Sequence, residues 1–153
     1  MDYIEEKAHI FGGTFILANK LQVLGDKFDE ILTTKQWLFL IGILKNQGSN
    51  QTISEVASFT GNSRQNAKKM AIILEKKGFI TLEKDMVDAR ILRVQATNKC
   101  KNYLKQRENR ELEFFEKLYD GFDKNLIEGL NNGITKLLEN IIEMEKQYEQ
   151  KER

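Results

Sequence analysis

Apolar residues recur at helical spacing near the start of the chain. Residues 3–24 place a series of them on one helical face: Ile4, Ala8, Phe11, Phe15, Ala18 and Leu21. This spacing predicts a long first helix. A second helix is predicted to begin at Thr33, because Thr33 and Gln36 have the spacing of a capping box, in which each side chain satisfies a backbone N–H of the other. Residues 45–51 should end it, and its expected inner stripe is Trp37, Leu40, Ile41 and Leu44.

Two short helical patterns separated by a glycine turn come next. Residues 53–59 predict a third helix and residues 63–77 a fourth, with the sequence TGN between them. Ser63 is placed to cap the fourth helix, and Gly78 is placed to end it because glycine adopts the left-handed conformation at little cost. Two helices joined by a three- or four-residue turn that contains glycine are typical of a helix-turn-helix. Gly61 is the glycine of that turn.

The spacing changes after the fourth helix. Residues 79–84 and 90–95 are two runs rich in β-branched residues, joined by the link DMVDA, and they predict a β-hairpin. Thr97 should cap a fifth helix. Gly121 interrupts it, Asp123 can cap a sixth, and the tail after residue 144 is expected to fray. The predicted order is therefore α-α-α-α-β-β-α-α, a mainly α fold with a small β-hairpin.

Composition excludes several classes of protein. The chain has 153 residues, enough for one domain, with 31% charged and 41% hydrophobic residues. It holds one Cys and one His, so we expect neither an internal disulfide nor a zinc site. No apolar run approaches the roughly 18 residues of a membrane span, and the acidic N-terminus is unlike a secretory signal, so we expect a cytoplasmic protein. No nucleophile–base pair, carboxylate pair or phosphate loop is visible, so we expect neither an enzyme nor a cofactor.

The net charge of +1 conceals an uneven distribution. Residues 61–101 hold ten Lys and Arg against four Asp and Glu, whereas the remaining residues hold 14 against 19. A basic middle flanked by acidic ends indicates a binding surface for a polyanion, and a solvated helix face is the alternative.

The fourth helix carries the side chains suited to that polyanion. Its expected inner face is apolar, formed by Ala67, Met70, Ala71 and Leu74. At 100° per residue Gln65 and Lys69 point the opposite way, with Asn66 and Lys68 on the flanks. Gln and Asn can read adenine in a major groove, and Lys and Arg can bind guanine edges or phosphates. Two further residues fall outside the inner face and are expected to be covered by the hairpin or the fifth helix: Ile72 and Ile73.

A basic hairpin after a helix-turn-helix has the position of a wing. Lys84 and Arg90 flank its tip, and a wing arginine can enter the narrow, electronegative minor groove. Asp88 is expected to orient a nearby arginine through a charge-assisted hydrogen bond. The alternative is a structural hairpin with ordinary surface charges.

These motifs together resemble the MarR-type winged-helix transcriptional regulators. The resemblance rests on LTTKQWLFL, on ISEVASFTGNSRQNAKKMAIILEKKGFI and on the D-x-R of the wing, and it covers residues 33–100 by motif. Leu82, Met86 and Cys100 depart from residues common in that family. The resemblance and the helix pattern imply these DNA contacts: Ser63, Arg64, Gln65, Asn66, Lys68, Lys69, Lys84, Asp88 and Arg90.

The resemblance also implies an organisation for the whole chain. We expect one MarR-like domain over residues 1–153, with a DNA-binding lobe at 33–96. Within that lobe the helix-turn-helix spans 53–77 and the wing 79–95. The helices at 1–24 and 97–148 carry more apolar surface than one small winged helix can cover, so they should pair two chains. Such a homodimer would read a near-palindromic operator in double-stranded DNA as a repressor.

Three further hypotheses concern regulation by an effector, regulation by oxidation, and binding of a protein instead of DNA. Relatives that respond to small aromatic compounds suggest an effector cleft, for which the candidate residues are His9, Phe11, Phe15 and Trp37. A redox response through Cys100 is a second hypothesis, because the adjacent lysines at a helix N-terminus would lower the thiol pKa. A winged helix can also serve as a protein-interaction module, which is the alternative to DNA binding.

Overall fold

The computed structural model describes residues 2–45 and 51–151. Its elements follow in chain order: α1 (Tyr3–Phe28), α2 (Thr34–Lys45), α3 (Ile53–Thr60), α4 (Arg64–Lys76), β1 (Ile80–Lys84), β2 (Leu92–Ala96), α5 (Asn98–Leu118) and α6 (Lys124–Lys151). This is the predicted order, and the expected mainly α fold with a small β-hairpin is confirmed. Most of the predicted end of the second helix, residues 46–50, lies outside the described residues.

Side-chain caps define the helix starts as predicted. Thr33 and Gln36 form the capping box: the Gln36 backbone N–H donates to the Thr33 hydroxyl at 3.2 Å, and the Thr33 N–H donates to the Gln36 Oε1 at 3.3 Å. Ser63, Thr97 and Asp123 each accept a backbone N–H from three residues further along. These caps replace hydrogen bonds that the first turn of a helix cannot form internally.

Glycine ends the two helices of the helix-turn-helix. Gly61 has φ 67° and follows α3, and Gly78 has φ 76° just beyond α4. Only glycine adopts these angles without a steric penalty, so both positions constrain the sequence. The turn between α3 and α4 therefore forms where the sequence predicts it.

The terminal helices are longer than predicted. The first helix continues to Phe28, and α6 continues to Lys151, so the expected fraying after residue 144 is wrong. The tail consists mostly of Glu, Gln and Lys, which are good helix formers, and Lys146 lies 3.8 Å from Glu143 one turn back. Neither α1 nor α6 contains a buried residue.

The chain forms two compact units, residues 1–106 and 107–153, and α5 begins in the first and ends in the second. The hydrophobic core belongs to the first unit, and its buried members are Leu32, Phe39, Leu40, Ile43, Ile53, Val56, Ala57, Ala67, Ala71, Leu74, Phe79, Ile80, Val94 and Cys100. The two strands pair antiparallel, with Ile80 opposite Ala96 and Lys84 opposite Leu92. The base of the hairpin is thus in the core and its tip is not.

Two expectations about burial are wrong, the first only in part, because Leu40 is buried as expected. In α2 the buried apolar side chains are Phe39, Leu40 and Ile43, while Trp37, Ile41 and Leu44 are only half-buried. Helix α2 is contacted by α1, α3 and β2. The face that these elements cover is therefore wider than the predicted stripe and is centred on different residues. In α4, Ile72 and Ile73 remain 40% and 45% exposed, because neither the hairpin nor α5 covers them within the described residues. Among those residues, no helix combines the length and apolarity of a membrane span.

Candidate nucleic-acid interface

Helix α4 presents its polar side chains to solvent. Ala67, Ala71 and Leu74 are fully buried and fix the helix against the core. All six predicted contact positions lie at the exposed surface, namely Ser63, Arg64, Gln65, Asn66, Lys68 and Lys69. The Ser63 hydroxyl is also the helix cap, accepting the Asn66 N–H at 3.2 Å.

A basic cleft of about 500 Å³ lies between the start of α3, the first turns of α4 and the start of β2. Its charged lining residues are Arg64, Lys68 and Arg90, and none of the acidic residues in the described ranges lines it. Arg64 and Lys68 are one helical turn apart and therefore share a face of α4. The other lining residues are two hydroxyl residues and three apolar ones: Thr52, Ser54, Ile53, Ile91 and Leu92. A lining that combines basic and apolar side chains suits an anionic group on an organic framework.

Backbone pairing holds the start of α3 beside the wing. The Val94 N–H donates to the Gln51 carbonyl at 2.9 Å, and Thr52 forms an isolated antiparallel bridge with Arg93. Thr52 and Glu55 then form a capping box that was not among the predicted caps, although the T-x-x-E spacing of the sequence indicates it. Hydrogen bonds from the Thr52 backbone and hydroxyl lower the pKa of Glu55 below its ordinary value. The cleft is thus built by a contact between segments some 40 residues apart.

The wing arginine is held in place by its neighbour. Arg90 Nε lies 3.0 Å from Asp88 Oδ1, and the terminal Nη2 lies 2.9 Å from Oδ2. The expected role of Asp88 in orienting an arginine is therefore confirmed. This interaction lowers the pKa of Asp88 and raises that of Arg90. The Arg90 side chain is still 91% exposed, so it is oriented while remaining available to a partner.

A second aspartate stabilises the wing turn. Asp85 accepts hydrogen bonds from the backbone N–H groups of Asp88 at 3.0 Å and Val87 at 3.1 Å, and its other oxygen is paired with Arg93 Nε. These hydrogen bonds, with the Asp88 N–H contributing most, lower the pKa of Asp85. Asp85 could not be predicted from the sequence, because its pairing with Arg93 depends on the hairpin register. Lys84 is exposed at the end of β1.

The proposed effector residues are only partly brought together. His9, Phe11 and Phe15 lie on the exposed surface of α1, and the Phe11 and Phe15 rings make an edge contact at 5.2 Å. Trp37 is half-buried on α2, and no ring contact or hydrogen bond joins it to these residues in the described structure.

The expected activation of Cys100 is wrong. The residue is fully buried, and burial raises the pKa of its thiol to about 11, outweighing the smaller lowering by Lys101. Lys99, the other lysine invoked, instead donates from Nζ to the Lys77 carbonyl at 2.6 Å and lies 5.2 Å from the Phe79 ring centroid. A buried neutral thiol is a poor nucleophile, so the redox hypothesis loses its chemical basis. Among the described residues, no group of three or more His, Cys, Asp and Glu could hold a metal.

Comparison with solved structures places this arrangement among winged helix-turn-helix proteins. A MarR protein from Peptoclostridium difficile is 20% identical, with a TM-score of 0.76 and coverage of 87% of each chain. MepR of S. aureus, solved as a DNA complex, is 17% identical, with a TM-score of 0.73 over 84% of this chain and 94% of that one. Bordetella bronchiseptica BpsR, whose DNA binding is regulated by 6-hydroxynicotinic acid, is 16% identical, with a TM-score of 0.70 over 83% and 97%.

The fold is that of the MarR-type transcriptional regulators, as the sequence motifs indicated. No protein-family model and no curated protein matches the sequence. The low identities mean that the structural similarity establishes the fold, while the residues of the cleft and wing carry the functional inference.

Proposed function

We propose that this chain is a sequence-specific DNA-binding transcriptional regulator. The observation that carries the proposal is the basic cleft, which is lined by Arg64 and Lys68 of α4 and by Arg90 of the wing, the last held by Asp88. A backbone phosphate carries the charge that these three side chains would neutralise, and phosphate contacts fix the register of a protein on a duplex.

Base recognition is assigned to the side of α4 beyond the cleft. Gln65, Asn66 and Lys69 are exposed there, near the N-terminal end of the helix, which is the end that approaches base edges in helix-turn-helix complexes. The wing would then lie over the adjacent minor groove, with Arg90 held by Asp88 directed towards it. The DNA complex of the structural neighbour MepR supports this class of partner.

A homodimer is the second part of the proposal. Both terminal helices carry large apolar side chains that a single chain leaves at the surface. In α6 these are Leu126, Ile127, Leu130, Ile134, Leu137, Leu138, Ile141, Ile142, Met144 and Tyr148. Apolar surface of this extent is typical of an interface. A twofold dimer would place two copies of α4 about 34 Å apart, one turn of DNA, and so recognise a near-palindrome. Sedimentation measured over a range of concentrations tests this directly.

Regulation by a small aromatic compound is the third part. The dimer would repress transcription by occupying its operator in the cytoplasm. An effector bound near Phe11, Phe15, His9 and Trp37 would shift the population away from the DNA-competent spacing of the two lobes. Regulation of BpsR by 6-hydroxynicotinic acid supports an effector of this kind.

The deciding experiment is selection of bound sequences from a randomised pool of duplexes, followed by titration of the enriched duplex. Enrichment of a near-palindrome and affinity that falls steeply with salt are expected. Lys68→Ala should weaken binding and reduce the salt slope by about one per protomer. Lys35→Ala is the matched control. It removes an exposed lysine from the start of α2. That part of α2 lies near the C-terminal end of α4, away from the first turns that line the cleft, because Lys77 donates to the Gln36 side chain. A pool without enrichment, and no binding at low salt, would favour the protein-interaction module instead.

A further inference from the structure

The tip of the wing is apolar and fully exposed. The Met86 and Val87 side chains have relative exposures of 102% and 96%. The next most exposed large apolar side chain between residues 30 and 106 is Ile31, at 50%. Two adjacent apolar side chains standing free in solvent therefore distinguish this tip from the rest of the DNA-binding lobe.

The tip has a defined conformation. The Asp85 carboxylate accepts the backbone N–H groups of Val87 and Asp88. Across the turn, the Asp85 N–H donates to the Ile91 carbonyl and the Ile91 N–H donates to the Asp88 carbonyl, both at 2.9 Å. These hydrogen bonds fix the backbone that carries Met86 and Val87 before any partner arrives, so little backbone entropy is lost on contact.

The charges around the tip balance, with Glu83, Asp85 and Asp88 against Lys84, Arg90 and Arg93. Its two carboxylates are each engaged by an arginine, Asp85 by Arg93 and Asp88 by Arg90. Lys84 at the end of β1 is exposed, as is Arg90. Because Arg90 also lines the basic cleft with α4, the tip is continuous with the surface assigned to DNA.

We propose that Met86 and Val87 are DNA contacts that enter the minor groove and pack against its deoxyribose walls and base edges. The inference rests on the proposed function and extends it from charged contacts to an apolar one. Apolar side chains are used in this way by proteins that bind the minor groove. Such a contact adds affinity without releasing counterions, so it is independent of salt, unlike that of Lys68.

The test compares the double variant Met86→Ser/Val87→Ser with wild type on the selected duplex at several salt concentrations. The variant should bind about tenfold more weakly at every concentration, with an unchanged slope of log Kd against log salt. Ile31→Ser removes a half-exposed apolar side chain near the C-terminal end of α4, where Lys77 donates to the Ile31 carbonyl, and should leave the affinity unchanged. Thermal unfolding of the double variant should match that of wild type, because the tip side chains are fully exposed. Ile31→Ser should unfold at a slightly lower temperature, because half of that side chain is covered.

A change in the duplex tests the groove. Replacing A·T by G·C under the wing adds the guanine N2 amino group to the minor groove, whereas inosine·C presents no such group there. Wild type should lose affinity for the G·C duplex and retain it for inosine·C, and the double variant should discriminate less. Unchanged affinity in the double variant would overturn the inference and leave the tip to another partner or to none. A reduced salt slope would also overturn it, because it would reveal a disturbed charge contact. If wild type selects no sequence, the proposed function itself fails.

Discussion

Leu74 and Ile73 are adjacent aliphatic residues of α4 that differ in burial. Leu74 is fully buried in the core, whereas Ile73 is 45% exposed. Leu74→Ala removes one methine carbon and two methyl groups from a packed site, and such truncations cost about 2–5 kcal/mol including the cavity left behind. Ile73→Ala removes side-chain surface that is already half in water, and alanine is the better helix former, so the loss should stay below about 1 kcal/mol.

Urea unfolding followed by circular dichroism measures both variants against wild type. Protein concentration must be held constant, because dimerisation would add to the apparent stability. We expect Leu74→Ala to lower the midpoint strongly and Ile73→Ala to change it little, with the same dependence on urea concentration. Equal losses, or a larger loss for Ile73→Ala, would show that α4 is rotated from the orientation described and that the exposed set of DNA-contact residues is wrong.

Three other predictions concern Cys100, Gly61 and Tyr103. Burial raises the pKa of Cys100 to about 11 from an ordinary 9.0, so the folded chain holds this proton more tightly than the unfolded chain. Its contribution to stability is complete below about pH 9 and is lost as pH rises towards about 11. Wild type should therefore lose stability relative to Cys100→Ala between about pH 9 and pH 11. If the difference in unfolding free energy between the two proteins stays constant over that interval, the pKa of Cys100 is not raised. Gly61→Ala should destabilise the turn by about 1–2 kcal/mol, because φ 67° is strained for alanine and no atom near its Cβ position compensates. An unchanged melting temperature would refute this strain. Tyr103→Phe leaves the buried Asp29 without the hydroxyl that donates to both of its oxygens, at 2.7 and 2.8 Å, so it should cost about 1–3 kcal/mol in chemical denaturation. A neutral effect would indicate that the other partners of Asp29 satisfy its carboxylate without the hydroxyl.

Some features of this structure depend only on residues that are close together in the sequence, and these features could be predicted from the sequence. The capping box of Thr33 and Gln36, the cap at Ser63 and the left-handed Gly61 depend only on residues within one turn of each other. The same holds for the pairing of Asp88 with Arg90, which are two residues apart. The order of elements and the exposed polar face of α4 follow from such short-range rules and from the helical period.

The remaining features depend on contacts between distant segments, so only the tertiary structure decided them. Helical periodicity could not determine which face of α2 is covered, because α1, α3 and β2 all approach it. Charge near Cys100 suggested an activated thiol, but burial by the core outweighs that charge. The basic cleft requires the start of α3 to pair with β2, and the engagement of Asp85 requires the register that brings Arg93 beside it. Burial and long-range pairing depend on how the whole chain packs, so they cannot be read from any single stretch of the sequence.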